Sequence, residues 1–473
     1  MALVIFSGIL LFSLFLAVWA SRKAKKGNIE DYLVGGRSFN GFILFFLAIG
    51  EVYSIGTIIG FPGGIYAKGV GYGIWFLGYI LLAYPIGYFL APLIWRAGKK
   101  YNAMTAPDLF KSHFSSRPLE LIVACSFLIF LIPWGQLQFE GLMVALNALG
   151  YNLSPSVAVF IAGVIAYLYI SISGVKAPAI ISILKDILLF AAIVIVGVAA
   201  FRKLGGVNNL FTAAQEQGAP LSYASNGELT FSITTIVFQA LAFYCLPFIV
   251  TVVFTSRSEN TIKRAQRFMP LYMLMYPFLI AASYFALIAL PNIDNPNHAF
   301  IATAVELLPP WVVGLVAAGA ALSGLLVLAI TALVVGGIFT RNLMPNIPAT
   351  KQKRLSQFVI VAYLMISMLL TIGVPSLMLN LINTAYAGFG QMLPGILAIL
   401  FSKSATAKGV AAGIITGTAI TLFLQVSGIS ILSINNGLIA LIFNFIVTII
   451  VSLMTSKNAQ LLTPMIAVKA TRD

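Results

Sequence analysis

The chain has 473 residues, of which 60% are hydrophobic and only 9% are charged. Water-soluble domains have about a quarter of their residues charged, so the composition excludes a soluble protein and indicates a surface that faces lipid. The formal net charge of +15 does not indicate nucleic acid binding, because the basic residues gather between apolar segments, as they do in cytoplasmic loops.

Long apolar runs follow one another along the whole chain. Runs of about 20 residues predict membrane-spanning helices, and these runs lack the alternation of a barrel strand. The sequence therefore predicts an all-α polytopic membrane protein with about thirteen spans. In chain order the predicted spans are 2–20, 40–67, 71–96, 119–147, 154–174, 177–201, 228–255, 268–290, 310–339, 356–373, 376–402, 408–427 and 431–455.

The first span predicts the orientation. Met1–Ala20 is apolar from its start, and the basic residues Arg22, Lys23, Lys25 and Lys26 follow it. A cleaved secretory signal has the reverse order. We expect a retained span in the plasma membrane, with the N-terminus outside and the C-terminus in the cytoplasm. On this topology the basic residues on the outside are Lys68, Arg202 and Lys203.

Two spans contain residues that interrupt helices. The second span carries Gly50, Gly56, Gly60 and Pro62, and the seventh carries Pro247. Transporters use interrupted helices to present backbone groups to ions and substrate at mid-membrane. A kink or close helix packing is the alternative, because both residue types are common in membrane helices.

Four ionisable residues lie within the predicted spans: Glu51, Glu140, Lys185 and Asp186. Because a charge inside the bilayer is costly, such groups pair with one another or line a polar cavity. For Glu51, Lys185 and Asp186 two interpretations stay open, a structural ion pair and an ion or proton site. Glu140 lies nearer the end of its span, and there we expect a structural role.

The spacing of the two interrupted spans suggests an internal repeat. Spans two to six (40–201) and seven to eleven (228–402) each contain five helices, so the second unit enters the membrane from the opposite side. We expect an inverted repeat, although the halves show no clear residue identity. The remaining segments are a first peripheral helix and loop (1–39), an external loop that is either a lid or a simple connection (202–227), and two peripheral helices with a cytoplasmic tail (403–473).

Five short segments, in their order and spacing, resemble motifs of the sodium:solute symporter family. They are Asp31–Ser38, Ile59–Tyr66, Thr105–Phe110, Phe339–Asn342 and Ala405–Gly409. The resemblance covers about residues 30–415. It implies the leucine-transporter-like fold, with two inverted five-helix repeats and peripheral helices, and therefore a symporter.

Within the family, the Gly-Glu-x-Tyr and Lys-Asp pairs are similar to those of the monocarboxylate permease-like branch. Sodium-coupled members carry two hydroxyl residues in the ninth span, and the matching positions here are Leu326 and Val327. Lys185 replaces a hydroxyl residue before the matched Asp186. The resemblance also places a backbone carbonyl of the sodium site at Glu51.

These departures predict coupling to H⁺ rather than Na⁺, or no sodium dependence. Lys185 would be the titrating group, because a buried lysine shifts its pKa readily, and Glu51 could pair with it across two helices. A sodium-coupled symporter with a rearranged cation site is the alternative. No cofactor or bound metal is expected.

The resemblance places the solute between the two interrupted helices. We expect a monocarboxylate or an amino acid, whose carboxylate would lie at half-helix N-termini. The side chains predicted to line the site, each of which could instead serve helix packing, are Tyr53, Ser54, Thr57, Gln138, Tyr244, Asn383 and Tyr386.

Other classes of membrane protein fit less well. A channel or a solute sensor would fit the spans, but a channel needs no pair of interrupted helices. An enzyme would need a nucleophile, a metal cluster or a cofactor motif, and His113 and His298 fall in predicted loops, where we expect them to be solvated. The expected partners are a small solute and the lipid bilayer, without nucleic acid or an obligate protein partner.

Overall fold

The computed structural model describes residues 1–21, 29–150, 154–216, 218, 221–456 and 463–467. The basic run after the first span and most of the C-terminal tail, both predicted to be cytoplasmic, lie outside these residues. The described part is built of α-helices. The first ten are α1 (Ala2–Ser21), α2 (Ile29–Val34), α3 (Gly41–Val52), α4 (Phe61–Lys68), α5 (Val70–Lys100), α6 (Ala106–Phe114), α7 (Arg117–Asn147), α8 (Pro155–Ser173), α9 (Lys176–Lys203) and α10 (Val207–Glu216).

The second half of the chain is also helical. Its helices are α11 (Asn226–Ala242), α12 (Pro247–Thr255), α13 (Glu259–Phe268), α14 (Tyr276–Ala289), α15 (Ala299–Leu307), α16 (Pro310–Ile338), α17 (Ala349–Gly373), α18 (Met378–Phe389), α19 (Leu393–Phe401), α20 (Ala407–Ser427) and α21 (Asn436–Thr455). Several of them join end to end, so that one membrane crossing contains two labelled helices.

The helices account for the predicted spans. Within the described residues, twelve helical runs are long and apolar enough to cross a membrane. The predicted fifth span corresponds to α8, whose apolar stretch Ser156–Tyr169 is shorter. Together they match the expectation of about thirteen spans and confirm an all-α polytopic membrane protein.

Helix α16 lies at the centre of the molecule. Nearly all of its residues from Val312 to Ile338 are buried. A helix that is apolar on all sides is stable only where other helices surround it, and here α1, α7, α8, α9 and α17 pack around it. The hairpin of α20 and α21 packs against α7 and α18 at the periphery.

Short helices occupy several segments predicted as loops, namely α2, α6, α10, α13 and α15. Helix α6 begins with a capping box, in which the side chains of Thr105 and Asp108 bond each other's backbone N–H groups. The Ser258 hydroxyl caps α13 by accepting from Thr261 N. These helices are shorter than a span, so hydropathy alone does not reveal them.

The expectation that His113 is solvated is wrong. His113 is buried in α6, and its Nδ1 atom lies 2.9 Å from the Tyr101 hydroxyl. Burial, with a smaller effect of Lys100, lowers the pKa of His113 to about 4. His298 is half-buried, and burial lowers its pKa as well.

We call the two ends of the helical bundle the Lys68 face and the Asp108 face. The Lys68 face contains the turn between α4 and α5, and the Asp108 face contains α6. At the Asp108 face, Phe39 N donates to Thr255 O at 3.1 Å and Arg257 N donates to Phe39 O at 3.3 Å. This backbone bridge joins the segment before α3 to the end of α12.

A polar network at the Asp108 face brings two of the family-like motifs together. Asn342 Nδ2 donates to Asp108 Oδ1 at 2.7 Å and to Glu120 Oε1 at 2.8 Å. The Thr105 hydroxyl donates to Asn342 Oδ1 at 2.8 Å, and Arg341 pairs with Asp108. The network therefore links α6, the first turn of α7 and the end of α16.

Candidate functional site

The first interrupted span consists of α3 and α4. The chain leaves helical geometry at Tyr53, whose φ and ψ are −97° and 83°, and a π-helical turn, Gly56–Gly60, leads into α4. The interruption therefore lies between Gly50, in the last turn of α3, and Gly56. Pro62 lies in the first turn of α4, where a missing N–H group costs no hydrogen bond.

The second interrupted span consists of α11 and α12. A 3₁₀ turn, Phe243–Cys245, follows α11, and Leu246 is extended, with φ and ψ of −62° and 123°. Pro247 begins α12. The proline thus restarts the helix after the interruption rather than bending a continuous one.

Lys185 of α9 points at the first interruption. Its Nζ atom donates to the backbone oxygens of Tyr53 at 2.9 Å and Gly50 at 3.4 Å, and it forms an ion pair with Asp186. Lys185 and Asp186 have 0% exposed surface. A buried ammonium needs such partners, because burying an unpaired charge is costly.

The possible pairing of Glu51 with Lys185 is not formed in the described structure. Glu51 is buried, and neither of its carboxylate oxygens has a hydrogen-bond partner among the described residues. Gly50 is the residue of α3 that faces α9, since a Cβ atom there would lie 3.5 Å from Lys185 Nζ. Glu51 is the next residue, about 100° further around the helix, and its carboxylate makes no hydrogen bond to Lys185 within the described structure.

The residues of α16 near the first interruption are apolar. Leu326 and Val327 are buried, and Leu326 Cδ2 would lie 3.5 Å from a Cβ atom at Gly50. The Ser323 hydroxyl donates to Gly319 O, within its own helix. The Thr331 hydroxyl is buried and has no hydrogen-bond partner in the described part of the chain.

A chain of aromatic rings lies beside the two interruptions, and we call it the central aromatic cluster. Tyr79 and Tyr386 have centroids 5.2 Å apart, and Trp134 stacks on Phe248 at 4.9 Å. Sequence analysis predicted two members, Tyr53 and Tyr386, and missed the others. In a long apolar run, an aromatic residue of a binding site cannot be told from one that only packs between helices. The members are Tyr53, Phe76, Tyr79, Trp134, Phe248, Tyr276 and Tyr386.

Two polar atoms of α7 near this cluster lack partners. Trp134 Nε1 and Gln138 Oε1 are buried without a hydrogen-bond partner among the described residues, and they lie one helical turn apart. Buried polar groups are normally paired. An unpaired donor and acceptor at this depth are therefore candidate contacts for a bound solute. Thr57, on the π turn, lies beside Tyr276.

Ser54 and Tyr244 lie at the two interruptions, but their hydroxyls are bonded within the protein. The Ser54 hydroxyl accepts from Gly56 N within its own turn. The Tyr244 hydroxyl donates to Gln266 Oε1 at 2.9 Å and lies against Gly87 of α5.

Asn383 faces a different space from the central aromatic cluster. Its Oδ1 atom accepts from Gln239 Nε2 at 2.6 Å. Asn383 lines a polar cavity of about 740 Å³ that opens near Lys68 and Glu228. Of the predicted side chains, Tyr53, Thr57, Gln138 and Tyr386 are therefore the ones that surround the centre.

At the Lys68 face the first interrupted span is closed by backbone contacts. Gly63 packs so closely that a Cβ atom would lie 2.9 Å from Pro296 O. The Asn297 amide donates to Ser376 O and accepts from Met378 N. Glu140 Oε1 accepts from Ser376 N at 3.2 Å. Glu140 thus fixes the segment before α18.

Comparison with known proteins gives the family. The profile of the sodium:solute symporter family matches residues 32–417. The uncharacterized symporter YhjB of Bacillus subtilis (strain 168) is 28% identical over 479 residues, which cover 96% of this chain and 97% of that protein. The monocarboxylate transport permease protein of Rhizobium johnstonii is 30% identical over 319 residues, 67% of this chain and 64% of that protein.

A solved structure gives the fold. A substrate-bound Na⁺-coupled sialic acid symporter superposes with a TM-score of 0.81 at 16% identity, over 98% of this chain and 99% of that one. The predicted leucine-transporter-like fold is confirmed. The family and its structural neighbours are transporters and not enzymes, so the chain is a multi-pass cell membrane protein of the transporter class. It belongs to the sodium:solute symporter family.

Proposed function

We propose that this chain is a secondary active transporter that carries a small monocarboxylate or amino acid by alternating access, with Lys185 in place of a coupling sodium ion. One observation supports this coupling above the others: the Lys185 ammonium bonds the carbonyl oxygens of Gly50 and Tyr53 at the helix interruption. Backbone oxygens at interrupted helices coordinate coupling cations in transporters.

The surroundings of the ammonium favour a proton over sodium. Sodium needs several oxygen ligands, and the α16 residue that packs near Gly50, Leu326, offers only hydrocarbon groups, as does its buried neighbour Val327. A protonated Lys185 links α9 to α3 through charge-assisted hydrogen bonds, which are stronger than neutral ones. A neutral amine would hold the two helices less tightly, so loss of the proton would allow them to separate.

We include two carboxylates in the proposed coupling group. Asp186 pairs with Lys185 and balances its charge. Glu51 is buried next to Gly50 without a partner in the described structure, so it is available to exchange a proton when the helices move. Asp186 and Glu51 are therefore the carboxylates that we propose act together with Lys185 in coupling.

The proposed solute lies against the central aromatic cluster. Trp134 Nε1 is a neutral donor, and Gln138 adds an unpaired oxygen close by. The first turn of α12, after Pro247, presents backbone N–H groups of a helix N-terminus, which attract a carboxylate. These features suit a small organic acid, whose carboxylate would accept from the neutral donors and whose apolar part would pack against the aromatic rings. The relative named as a monocarboxylate transport permease supports this class of solute.

The test of coupling is uptake into proteoliposomes under separately imposed pH and Na⁺ gradients. Wild-type uptake should follow the pH gradient and persist without Na⁺. Lys185→Gln should lose gradient-driven uptake by at least about tenfold and should retain exchange of labelled for unlabelled solute, which needs no coupling. Lys176→Gln is a matched control on the same helix, because Lys176 pairs with Asp31 near the Asp108 face.

Two results would contradict the proposal. A strict Na⁺ requirement in wild type would remove proton coupling and favour a sodium-coupled symporter with a rearranged site. Its candidate ligand would be the Thr331 hydroxyl, which has no hydrogen-bond partner among the described residues. Failure of unlabelled solute on the far side to stimulate uptake would remove the carrier and favour a channel. The solute would be found by thermal-shift screening of organic acids and amino acids at two pH values, with and without Na⁺.

We also propose the orientation and the repeat boundaries. The Lys68 face would be outside, as the distribution of basic residues favours, with the N-terminus outside and the C-terminus in the cytoplasm. The units 40–201 and 228–402 would be the two repeats, with 1–39, 202–227 and 403–473 outside them. Labelling single cysteines at Lys68 and at Lys111 with an impermeant reagent on intact cells tests the orientation.

A further inference from the structure

A groove on the lipid-facing side of α9 ends in two cations. The space measures about 670 Å³, and it runs along the last turns of α9 to the end of α15 at the Lys68 face. Most of the groove is apolar. Its lining residues are Val194, Ile195, Val198, Ala199, Arg202, Lys203, Leu307 and Leu308.

The spacing of these residues makes one continuous stripe. Ile195, Val198 and Arg202 follow one another at intervals of three and four, so they share a face of α9. Ala199 and Lys203 are four apart and lie beside them. The apolar part of the stripe faces the membrane interior, and the two basic side chains lie where the helix leaves it.

The two cations are exposed and unpaired. Neither Arg202 nor Lys203 makes an ion pair or a side-chain hydrogen bond within the described structure. Glu306, next to the groove residue Leu307, pairs with neither of them. Cations in the last turn of a helix interact favourably with its dipole, which accounts for a charge there. It does not account for an apolar groove directly beneath the charges.

We propose that this groove binds an anionic phospholipid. Its phosphate would lie between Arg202 and Lys203, and one acyl chain would follow Val194 and Val198 toward the middle of the membrane. The arrangement has the two parts that such a lipid requires, a basic site at headgroup depth and an apolar channel that continues from it. A bound lipid would bridge α9 to α15.

The site has a consequence for the transporter, because α9 also carries Lys185. A lipid that holds the end of α9 against α15 would stabilise one position of the helix that reaches the first interruption. This consequence depends on the proposed function, whereas lipid binding itself does not. The experiment therefore measures binding and thermal stability separately from transport.

The test uses the purified full-length protein with phosphatidylglycerol or phosphatidylcholine. Native mass spectrometry counts bound lipid, and thermal unfolding measures its effect. Phosphatidylglycerol should raise the unfolding temperature of wild type more than phosphatidylcholine does. The variant R202Q/K203Q should bind phosphatidylglycerol at least about tenfold more weakly, since each basic residue near the surface contributes about fivefold in affinity. It should also lose the extra stabilisation by phosphatidylglycerol.

Two further arms identify the source of the anion. Lys68→Gln is the matched control, because Lys68 is another exposed cation at this face, lies over the Tyr72 ring and is not part of the groove. It should bind the lipid like wild type. Ala199→Trp fills the apolar part and should weaken phosphatidylglycerol binding while both cations remain. Inorganic phosphate should not reproduce the stabilisation.

Equal binding of phosphatidylglycerol by wild type and R202Q/K203Q would overturn the proposal. So would equal weakening by Lys68→Gln, which would indicate nonspecific surface charge, or full stabilisation by inorganic phosphate, which would indicate a site for a free anion. If lipid binding follows the expected pattern but uptake does not depend on phosphatidylglycerol, the lipid site stands and only its link to transport is removed.

Discussion

At the scale of single residues, the least common feature is a lysine ammonium held by main-chain oxygens inside the membrane. Lys185 is stabilised by three partners on two helices, which offsets the cost of burying its charge. A second feature at this scale is the close packing of Tyr244 against Gly87. Its hydroxyl passes close to Gly87 to reach Gln266, so the absence of a side chain at Gly87 is required there.

Gly87→Ala should therefore destabilise the protein. A Cβ atom at Gly87 would overlap the Tyr244 hydroxyl oxygen, so Tyr244 would have to move and would lose its bond to Gln266. We expect a loss of about 1–3 kcal/mol, typical of overpacking, measured by thermal unfolding in detergent. Gly8→Ala is the control, because nothing lies within 4 Å of a Cβ atom there. Equal stability of both variants would contradict the assigned contact.

His113 should make stability depend on pH in mildly acidic solution. Its folded pKa of about 4 lies below the ordinary value of 6.5, so the unfolded chain binds the proton more tightly. The contribution is complete above pH 6.5 and is lost as the pH falls toward about 4. His113→Gln keeps a hydrogen-bond acceptor for Tyr101 without titrating. The stability difference between wild type and this variant should change across that range, and a constant difference would be the contrary result.

Residue-scale prediction from sequence was uneven, for a geometric reason. Lys185 was expected near Gly50 because both residues lie at a similar depth in the membrane. In the structure α3 and α9 meet at that depth, and Lys185 faces Gly50. Sequence left open whether Glu51 pairs with Lys185, because depth does not give the rotation of a helix, and the described structure shows no hydrogen bond between them. The positions of Asn383 and Tyr244 depend on which neighbour packs on which side, and the cluster residues Trp134 and Tyr276 show no periodic pattern that separates them from ordinary packing.

At the scale of elements, the molecule depends on two spans that stop and restart. Each half-helix has its own partners: α4 packs on the segment around Asn297, and α12 is bridged to the segment before α3. Glycine and proline predicted that these spans are interrupted, but the residues that leave helical geometry are Tyr53 and Leu246. The short helices between spans were missed because their ends depend on caps rather than on hydropathy.

Gly63→Ala should weaken the closure of α4. The new Cβ atom would meet main-chain atoms, 2.9 Å from Pro296 O and 3.0 Å from Asn297 Cα, and a backbone cannot rotate away as a side chain does. Starting from a protein without Cys125 and Cys245, a cysteine at Thr57 should react faster with an impermeant thiol reagent added at the Lys68 face. Gly41→Ala, in open space on the same span, should leave the rate unchanged. An unchanged rate in Gly63→Ala would refute the closure.

At the scale of the whole molecule, polar networks at the two faces hold the helices around α16. The network at the Asp108 face is the larger and converges on Asn342, which bonds Asp108, Glu120 and Thr105. The family-like motifs that contain Thr105 and Asn342 lie far apart in the chain. Their order suggested a family, but only the fold shows that they touch.

Asn342→Ala should cost about 2–3 kcal/mol of stability, because two carboxylates and a hydroxyl each lose a buried hydrogen bond. Asn342→Asp should cost more, since it places a third carboxylate beside Asp108 and Glu120. Thermal unfolding at neutral pH measures both. Asn209→Ala, on the exposed side of α10, should change little. A milder effect of the aspartate than of the alanine would argue against the network as described.

The bridge through Phe39 sets where motion is possible. Its two main-chain hydrogen bonds join the start of the first interrupted span to the end of the second. At that membrane boundary the two spans must therefore move together. The two interrupted spans can move relative to each other only in their other halves, α4 and α11. We therefore expect the pathway toward the Lys68 face to open by local bending of those halves, and the pathway toward the Asp108 face to open only by displacement of the joined pair as one body.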